Sequence, residues 1–101
     1  MLNTIMTREE VDALEGTTVL EFGATWCGFC QAARPHVDHV LEGRTDIRHI
    51  WIEDGKGQRL GRTFGVKLWP TLIVMRDGKE VGRVVRPRGE SEIEKALLDS
   101  K

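Results

Sequence analysis

The chain alternates between short apolar runs and segments with helical periodicity, and this alternation restricts the folds open to it. The apolar runs predict strands at 17–22, 47–52, 71–75 and 81–85, and the periodic segments predict helices at 7–15, 27–41, 57–64 and 90–98. Strands separated by helices usually lie parallel in one sheet. Asp77 and Gly78 form a hairpin-turn pair, so the last two strands are expected to be antiparallel. We therefore predict an α/β fold with a mixed central β-sheet and helices on both of its faces.

Single residues mark the ends of these elements. Thr7 and Glu10 have the spacing of a capping box at the start of the first helix. Gly16 and Gly43 predict where the first two helices end. Pro35 lies inside the second helix and predicts a kink there. A first strand could come only from residues 2–6.

The length and the charge exclude several classes of protein. The 101 residues fit a single domain over 1–101, which can bury a core without disulfides or metal. The formal net charge of −1 does not favour nucleic-acid binding. No apolar stretch approaches the ~20 residues of a membrane span, and residues 1–6 do not form a secretion signal. We expect no nucleic-acid or membrane partner and a cytoplasmic location, with a trimmed exported precursor as the alternative.

Cys27 and Cys30 lie where a predicted strand ends and a helix begins. Residues three apart in a helix face the same side, so the two thiols can form a reversible disulfide. The free N–H groups and the dipole at the helix start favour the thiolate of Cys27, which is the reactive form. We predict that Cys27 attacks a substrate disulfide and that Cys30 resolves the mixed disulfide.

Two other interpretations of the cysteine pair are open. His36 and His39 follow it and could complete a zinc site, although zinc sites usually separate the ligand pairs by ~12 or more residues. The cysteines could also be two buried structural thiols. Both are weaker than the redox interpretation, because the pair lies at a strand-to-helix junction and a reducing cytosol favours catalytic over structural cysteines.

Phe29 lies between the cysteines and, unlike a proline, keeps its backbone N–H. This donor can point at the sulfur of Cys27 and favour the thiolate. A stabilised thiolate stabilises the reduced pair and makes it more oxidising. The sequence therefore predicts that Phe29 influences the reduction potential.

The run Trp-Cys-Gly-Phe-Cys at 26–30 resembles the active-site motif of the thioredoxin family. Pro35 lies where the family's active-site helix has a kinking proline. The Trp-Pro-Thr run at 69–71 resembles the family's cis-proline loop, and Asp77-Gly78 resembles its hairpin turn. The resemblance covers residues 17–98 in the family's order and spacing. It implies a thioredoxin-like fold and a thiol–disulfide oxidoreductase that reduces disulfides in other proteins.

The resemblance also implies roles for single residues around the cysteines. Pro70 would be cis and would shape a substrate groove, and the backbone of Trp69 would bind an extended substrate segment. The exposed start of the active-site helix would contact substrate through Trp26, Gly28 and Phe29.

Glu21 interrupts an apolar strand, where an unpaired charge is expensive. It matches the position of the family's buried aspartate and is one methylene longer. The implied role is to accept a proton from Cys30, through water, during resolution; the alternative is a glutamate that faces solvent. His49 lies near the place of a family lysine that contacts this acid, but a satisfied or exposed histidine is the favoured interpretation.

The chain departs from the family pattern at several positions. The family usually has other residue types at the positions of Phe29, Gly23 and Trp69. After the last strand, where a glycine is usual, this chain has Arg86-Pro87-Arg88. Arg86 could bind substrate, and with Arg88 it could form a basic rim that favours acidic partners, unless both are simply solvated.

No glycine-rich phosphate loop or flavin motif is present in the sequence. We therefore expect no metal, no cofactor beyond the redox-active pair Cys27–Cys30, disulfide-containing protein substrates, and a reductase as the electron donor. The alternatives are an oxidant or isomerase, a glutathione-linked enzyme, and a non-catalytic binding module with the same fold.

Overall fold

The structure, a computed structural model, describes residues 2–3, 6–55 and 58–99. Over these residues the elements are β1 (Leu2–Asn3), α1 (Arg8–Asp12), β2 (Thr17–Gly23), α2 (Gly28–Leu41), β3 (Ile47–Glu53), α3 (Leu60–Thr63), β4 (Thr71–Arg76), β5 (Lys79–Val85) and α4 (Glu90–Asp99). The sheet has the order β1-β3-β2-β4-β5. Its first three strands are parallel, and β4 and β5 are antiparallel to their neighbours. The predicted mixed sheet is confirmed.

Helices cover both faces of the sheet, as the sequence predicts. One core contains Val11 of α1 and Leu60 of α3, which pack with Leu20 and Phe22 of β2. The opposite core joins Val37 of α2 and residues of α4 to the other side of the same strands. Apolar side chains therefore alternate between two cores along β2, as expected for a central strand covered on both sides.

Some element ends differ from the predictions. The capping box of α1 is present, since Thr7 Oγ1 accepts from the N–H of Glu10 at 3.1 Å and Glu10 Oε1 accepts from the N–H of Thr7 at 2.9 Å. The helix ends at Asp12 rather than near residue 15, because the N–H of Leu14 turns back to the carbonyl of Val11. The strand predicted within 2–6 is described at 2–3, and residues 4 and 5 lie outside the described residues.

The helix predicted at 57–64 is shorter, because α3 spans only Leu60–Thr63. Arg59, at its start, makes no capping hydrogen bond through its side chain, and the N–H of Val66 closes the far end on the carbonyl of Gly61. Residue 57 lies outside the described residues. None of the helices described is long and apolar enough to cross a membrane.

Candidate active site

The two cysteines meet at the N-terminus of α2, at the end of the central strand. Cys27 is the N-cap of this helix, and its Sγ accepts from the backbone N–H of Cys30 at 3.3 Å. Both thiols are free and buried, at 7% and 3% exposure. The nucleophile predicted from sequence therefore occupies the position where orphan N–H groups of a helix converge.

The environment shifts the pKa values of the two thiols in opposite directions. Burial would raise the pKa of Cys27, but a hydrogen bond from the Cys30 thiol, backbone N–H groups of Cys30 and Phe29, and the charge of Arg86 together lower this pKa below its ordinary value. Burial raises the pKa of Cys30 to about 12, and the charges of Cys27 and Glu21 add to that effect. The first cysteine is thus prepared to act as a thiolate while the second holds its proton.

Glu21 is fully buried behind the cysteines, on the face of β2 that α2 covers. Its Oε1 lies 2.8 Å from Nε2 of His49 on β3, and its Oε2 accepts from Nε of Arg34 on α2 at 3.4 Å. Since burial of a lone carboxylate is costly, these two partners explain how an acidic side chain can be buried in this strand. His49 therefore has the buried acid as its hydrogen-bond partner, which agrees with the favoured interpretation of a satisfied histidine, and its role in the chemistry stays a prediction.

Gly23 allows a large ring to lie directly behind Cys30. A Cβ at this position would be 2.6 Å from Cys30 Sγ and 2.8 Å from Cη2 of Trp51. Trp51 is 3% exposed, and its Nε1 donates to Glu53 Oε1 at 3.1 Å. The same carboxylate accepts from the N–H of Thr25 at 3.1 Å, which fixes the loop before Cys27. An indole from β3 thus fills the volume that a side chain at position 23 would need.

The loop before β4 forms the other wall of the site. The peptide bond between Trp69 and Pro70 is cis. The ring of Trp69 meets that of Trp26 edge to face, with centroids 5.4 Å apart, and its Nε1 donates to Asp54 Oδ2 at 2.9 Å. Trp26 is 73% exposed, and Gly28 is the exposed first residue of α2.

Arg86 links this loop to the cysteine motif. Its Nε donates to the carbonyl of Trp69 at 2.9 Å, and its Cζ lies 4.0 Å from the centroid of the Phe29 ring. A cation over an aromatic face is attracted to it. Phe29 itself is 57% exposed. The predicted substrate-binding residues Trp26, Phe29, Trp69, Pro70 and Arg86 therefore lie around the cysteines.

The histidines considered for zinc face another helix. His39 Nδ1 lies 2.7 Å from Oε1 of Glu90 on α4, and His36 Nδ1 lies 4.0 Å from Oε2 of the same carboxylate. The hydrogen bond to Glu90 raises the pKa of His39 above its ordinary value. The structure thus places these rings at a contact between two helices.

Arg34, Trp51 and Asp54 were not singled out by the sequence analysis. Arg34 lies four residues after Cys30, so helical spacing alone places both on one face of α2. His49, Trp51 and Glu53 are each two residues apart, so they lie on one face of β3. No local signal identifies Asp54, because its partner Trp69 is distant in sequence.

Comparisons with known proteins agree with this geometry. The family model described as Thioredoxin matches residues 3–99. The structure of thioredoxin 2 from Pseudomonas aeruginosa PAO1, in its reduced form, is 49% identical in sequence and superposes with a TM-score of 0.83, covering 94% of this chain and 88% of that one.

Two curated relatives support the same family. Thioredoxin from Mycobacterium tuberculosis is 32% identical over 82 residues, 80% of this chain and 71% of the relative. Thioredoxin H2-1 from rice (Oryza sativa subsp. japonica) is 33% identical over 89 residues, 85% of this chain, and the match spans 64% of the rice protein. The chain belongs to the thioredoxin family of thiol–disulfide oxidoreductases.

Proposed function

We propose that this chain reduces disulfide bonds in other proteins through the Cys-Gly-Phe-Cys motif at 27–30. The observation that supports this most directly is the position of Cys27 as the N-cap of α2, where its Sγ accepts from the N–H of Cys30 at 3.3 Å, while burial raises the pKa of the Cys30 thiol. A nucleophile needs its thiolate, and a resolving thiol that stays protonated does not compete with it.

The proposed reaction has two thiol exchanges. The Cys27 thiolate attacks one sulfur of the substrate disulfide; the substrate S–S bond breaks, and the departing thiolate takes a proton from solvent. Cys30 then loses its proton and attacks the Cys27 sulfur; the mixed S–S bond breaks, and the second substrate sulfur leaves as a thiolate that takes a proton from solvent. The substrate gains two electrons and two protons, and the chain is left with a Cys27–Cys30 disulfide.

Glu21 is the proposed acceptor for the proton of Cys30, because it lies behind the pair and close enough for its charge to act on that thiol. His49, whose side chain is 12% exposed, contacts the same carboxylate. This contact offers a route by which the proton can reach solvent.

The substrate is proposed to bind across Trp26, Gly28, Phe29 and the loop at Trp69 and Pro70. Two exposed aromatic rings lie beside a nucleophile that is itself buried, so contact with a partner's surface is needed to bring a disulfide to Cys27. The site is proposed to need no metal and no cofactor other than its own dithiol.

Completing the cycle requires two electrons from an external donor, and we propose a reductase in a reducing, cytoplasmic compartment as that donor. The chain is further proposed to act as a single domain.

An insulin-reduction assay with dithiothreitol tests the proposal. The chain should accelerate precipitation of reduced insulin over dithiothreitol alone, and Cys27→Ser should abolish the acceleration. In a separate mixture without dithiothreitol, pre-reduced Cys30→Ser should accumulate a mixed disulfide with the substrate on Cys27, which mass spectrometry detects. No acceleration by the intact chain would favour the non-catalytic binding module. A reduction potential measured against glutathione separates a reductant from an oxidant or isomerase.

A further inference from the structure

Arg86 is held in place by neutral groups. Its Nε donates to the carbonyl of Trp69, and its guanidinium lies over the ring of Phe29. Other arginines form ion pairs with carboxylates of this chain: Arg8, Arg34, Arg44 and Arg83. Within the part of the chain that the structure describes, Arg86 has no such pair. A fixed cation beside the nucleophile is therefore left without a carboxylate partner, although its charge acts on the Cys27 thiolate.

The backbone of Arg86 also adopts a conformation that a side chain disfavours. Its φ is +50°, in the left-handed region, and its N–H donates to the carbonyl of Pro70 at 2.9 Å. This region costs ~1–2 kcal/mol for a residue that carries a Cβ. A glycine would adopt it freely, so the guanidinium is held here at a cost to the fold.

A groove of about 770 Å³ lies next to Arg86. Its apolar lining includes Phe29, Leu68 and Val85, which are 57%, 48% and 42% exposed. Three exposed apolar side chains beside one another suit an apolar side chain of a bound segment.

The polar lining of the groove is mainly basic. Its charged groups are Arg86, Arg88 and, among the described residues, a single carboxylate, that of Glu92; His36 also lines the groove, beside Glu90. Glu92 Oε1 already accepts from the backbone N–H of Arg88 at 3.0 Å. The charge of the groove is therefore complementary to an acidic segment.

The contacts of Arg86 leave suitable donors for a carboxylate. A guanidinium has five N–H groups, and the bond to Trp69 uses only the one on Nε. The two terminal nitrogens can bind both oxygens of a carboxylate end-on while the face of the group stays against Phe29. Charge-assisted bidentate pairs of this kind are specific in geometry as well as strong.

We infer that Arg86 is a specificity-determining residue, which recognises a carboxylate in the substrate segment next to the disulfide. An apolar neighbour of that acidic residue packs against Phe29 and Leu68. This inference rests on the proposed function, because it names the class of disulfide substrate that the same site prefers.

Three peptides test it, each joined by a disulfide to a fluorescent reporter thiol and differing only in the residue beside the cysteine: Glu, Gln or Lys. The pre-reduced chain is mixed with each peptide, and the second-order rate constant of reporter release is measured, so no reductase is needed. We expect the Glu peptide to react about tenfold faster than the Gln peptide, which corresponds to ~1.4 kcal/mol. The preference should weaken in high salt.

Three variants locate the origin of the preference. Arg86→Gln should remove it, and Arg86→Lys should keep part of it, since an ammonium retains the charge but not the planar fork. The control is Arg76→Gln, an exposed arginine at the opposite end of β4, which should behave like the parent chain. Thermal unfolding by circular dichroism verifies that each variant is folded.

The outcomes separate the inference from the proposed function. Equal rates for the three peptides, or a Glu preference that survives in a folded Arg86→Gln chain, would overturn the role of Arg86 and leave the reductase activity in place. A reduced chain that releases reporter from none of the peptides would overturn both.

Discussion

The carboxylate of Glu21 and the imidazole of His49 lie 2.8 Å apart in adjacent parallel strands, beneath the helix that carries the cysteines. Glu21 is fully buried, and the side chain of His49 is 12% exposed. A similar contact joins His39 and Glu90 at 2.7 Å, but there both side chains are at least one-third exposed. The chain thus contains a buried and an exposed version of one interaction.

Replacing each histidine by leucine compares the two environments. His49→Leu leaves Glu21 with Arg34 alone, so we expect the free energy of unfolding to fall by ~1–3 kcal/mol. His39→Leu removes an exposed contact and should change it by less than ~0.5 kcal/mol. Urea unfolding of the oxidised proteins measures both. A loss in His49→Leu as small as the one expected for His39→Leu would show that Glu21 does not depend on His49.

The backbone N–H of Phe29 contributes to the low pKa of Cys27. Phe29→Pro removes this donor, so the pKa of Cys27 should rise and the reduction potential should become more negative, by roughly 30 mV if the loss is ~1.4 kcal/mol. Phe29→Ala removes the ring but keeps the donor, and it should leave most of the potential unchanged. Equilibration with glutathione and thiolate absorbance against pH measure both quantities. An equally negative shift in the alanine and proline variants would assign the effect to the loss of the ring.

The raised pKa of the Cys30 thiol should make the stability of the reduced protein depend on pH in the alkaline range. Burial raises its pKa to about 12, whereas an unfolded cysteine ionises near ~8.5. Between these values the unfolded chain loses a proton that the folded chain keeps, so the free energy of unfolding falls as pH rises. Below that window the sign is opposite, because the lowered pKa of Cys27 stabilises the fold as pH approaches ~8.5.

Urea unfolding of the reduced protein from pH 7 to 11 measures this fall. Cys30→Ala has no second thiol to ionise, and its loss of stability above pH ~8.5 should be smaller. An identical alkaline loss in the variant would place the origin in other groups.

Gly23 should tolerate no side chain while Trp51 is present. The Cβ of Gly23→Ala would lie within 3 Å of Cys30 Sγ and of the indole, and both belong to a packed core, so we expect a loss of ~1–3 kcal/mol. Gly28→Ala is the matched control, because nothing lies within 4 Å of its Cβ. Trp51→Phe should recover part of the loss in the double variant. Strictly additive losses would contradict this packing.

Local signals predicted most of the fold. The capping box at Thr7, the turn at Asp77 and the periodicity of α2 act over a few residues, so they can be identified in the sequence. The ends of α1 and α3 could not be placed in this way, because those helices are closed by backbone hydrogen bonds at Leu14 and Val66 that no side chain specifies.

The sequence likewise predicted some features of the site and not others. The cysteine pair and the burial of Glu21 follow from position within a strand and a helix. The partner of Glu21 on β3 depends on the register of two parallel strands, with Val19 opposite His49, and nothing local sets that register. The contact of Arg86 with Phe29 joins residues 57 positions apart and was likewise beyond local spacing.

The Cys27 sulfur is both the attacking atom and the acceptor that caps α2. Each time it bonds covalently to another sulfur, it loses negative charge and becomes a weaker acceptor for the first turn of the helix. Each return to the thiolate restores that acceptor. The free energy of reducing the disulfide therefore includes part of the stability of the first turn of α2. Solvents or substitutions that destabilise this turn will also shift the redox equilibrium, even when neither cysteine is changed.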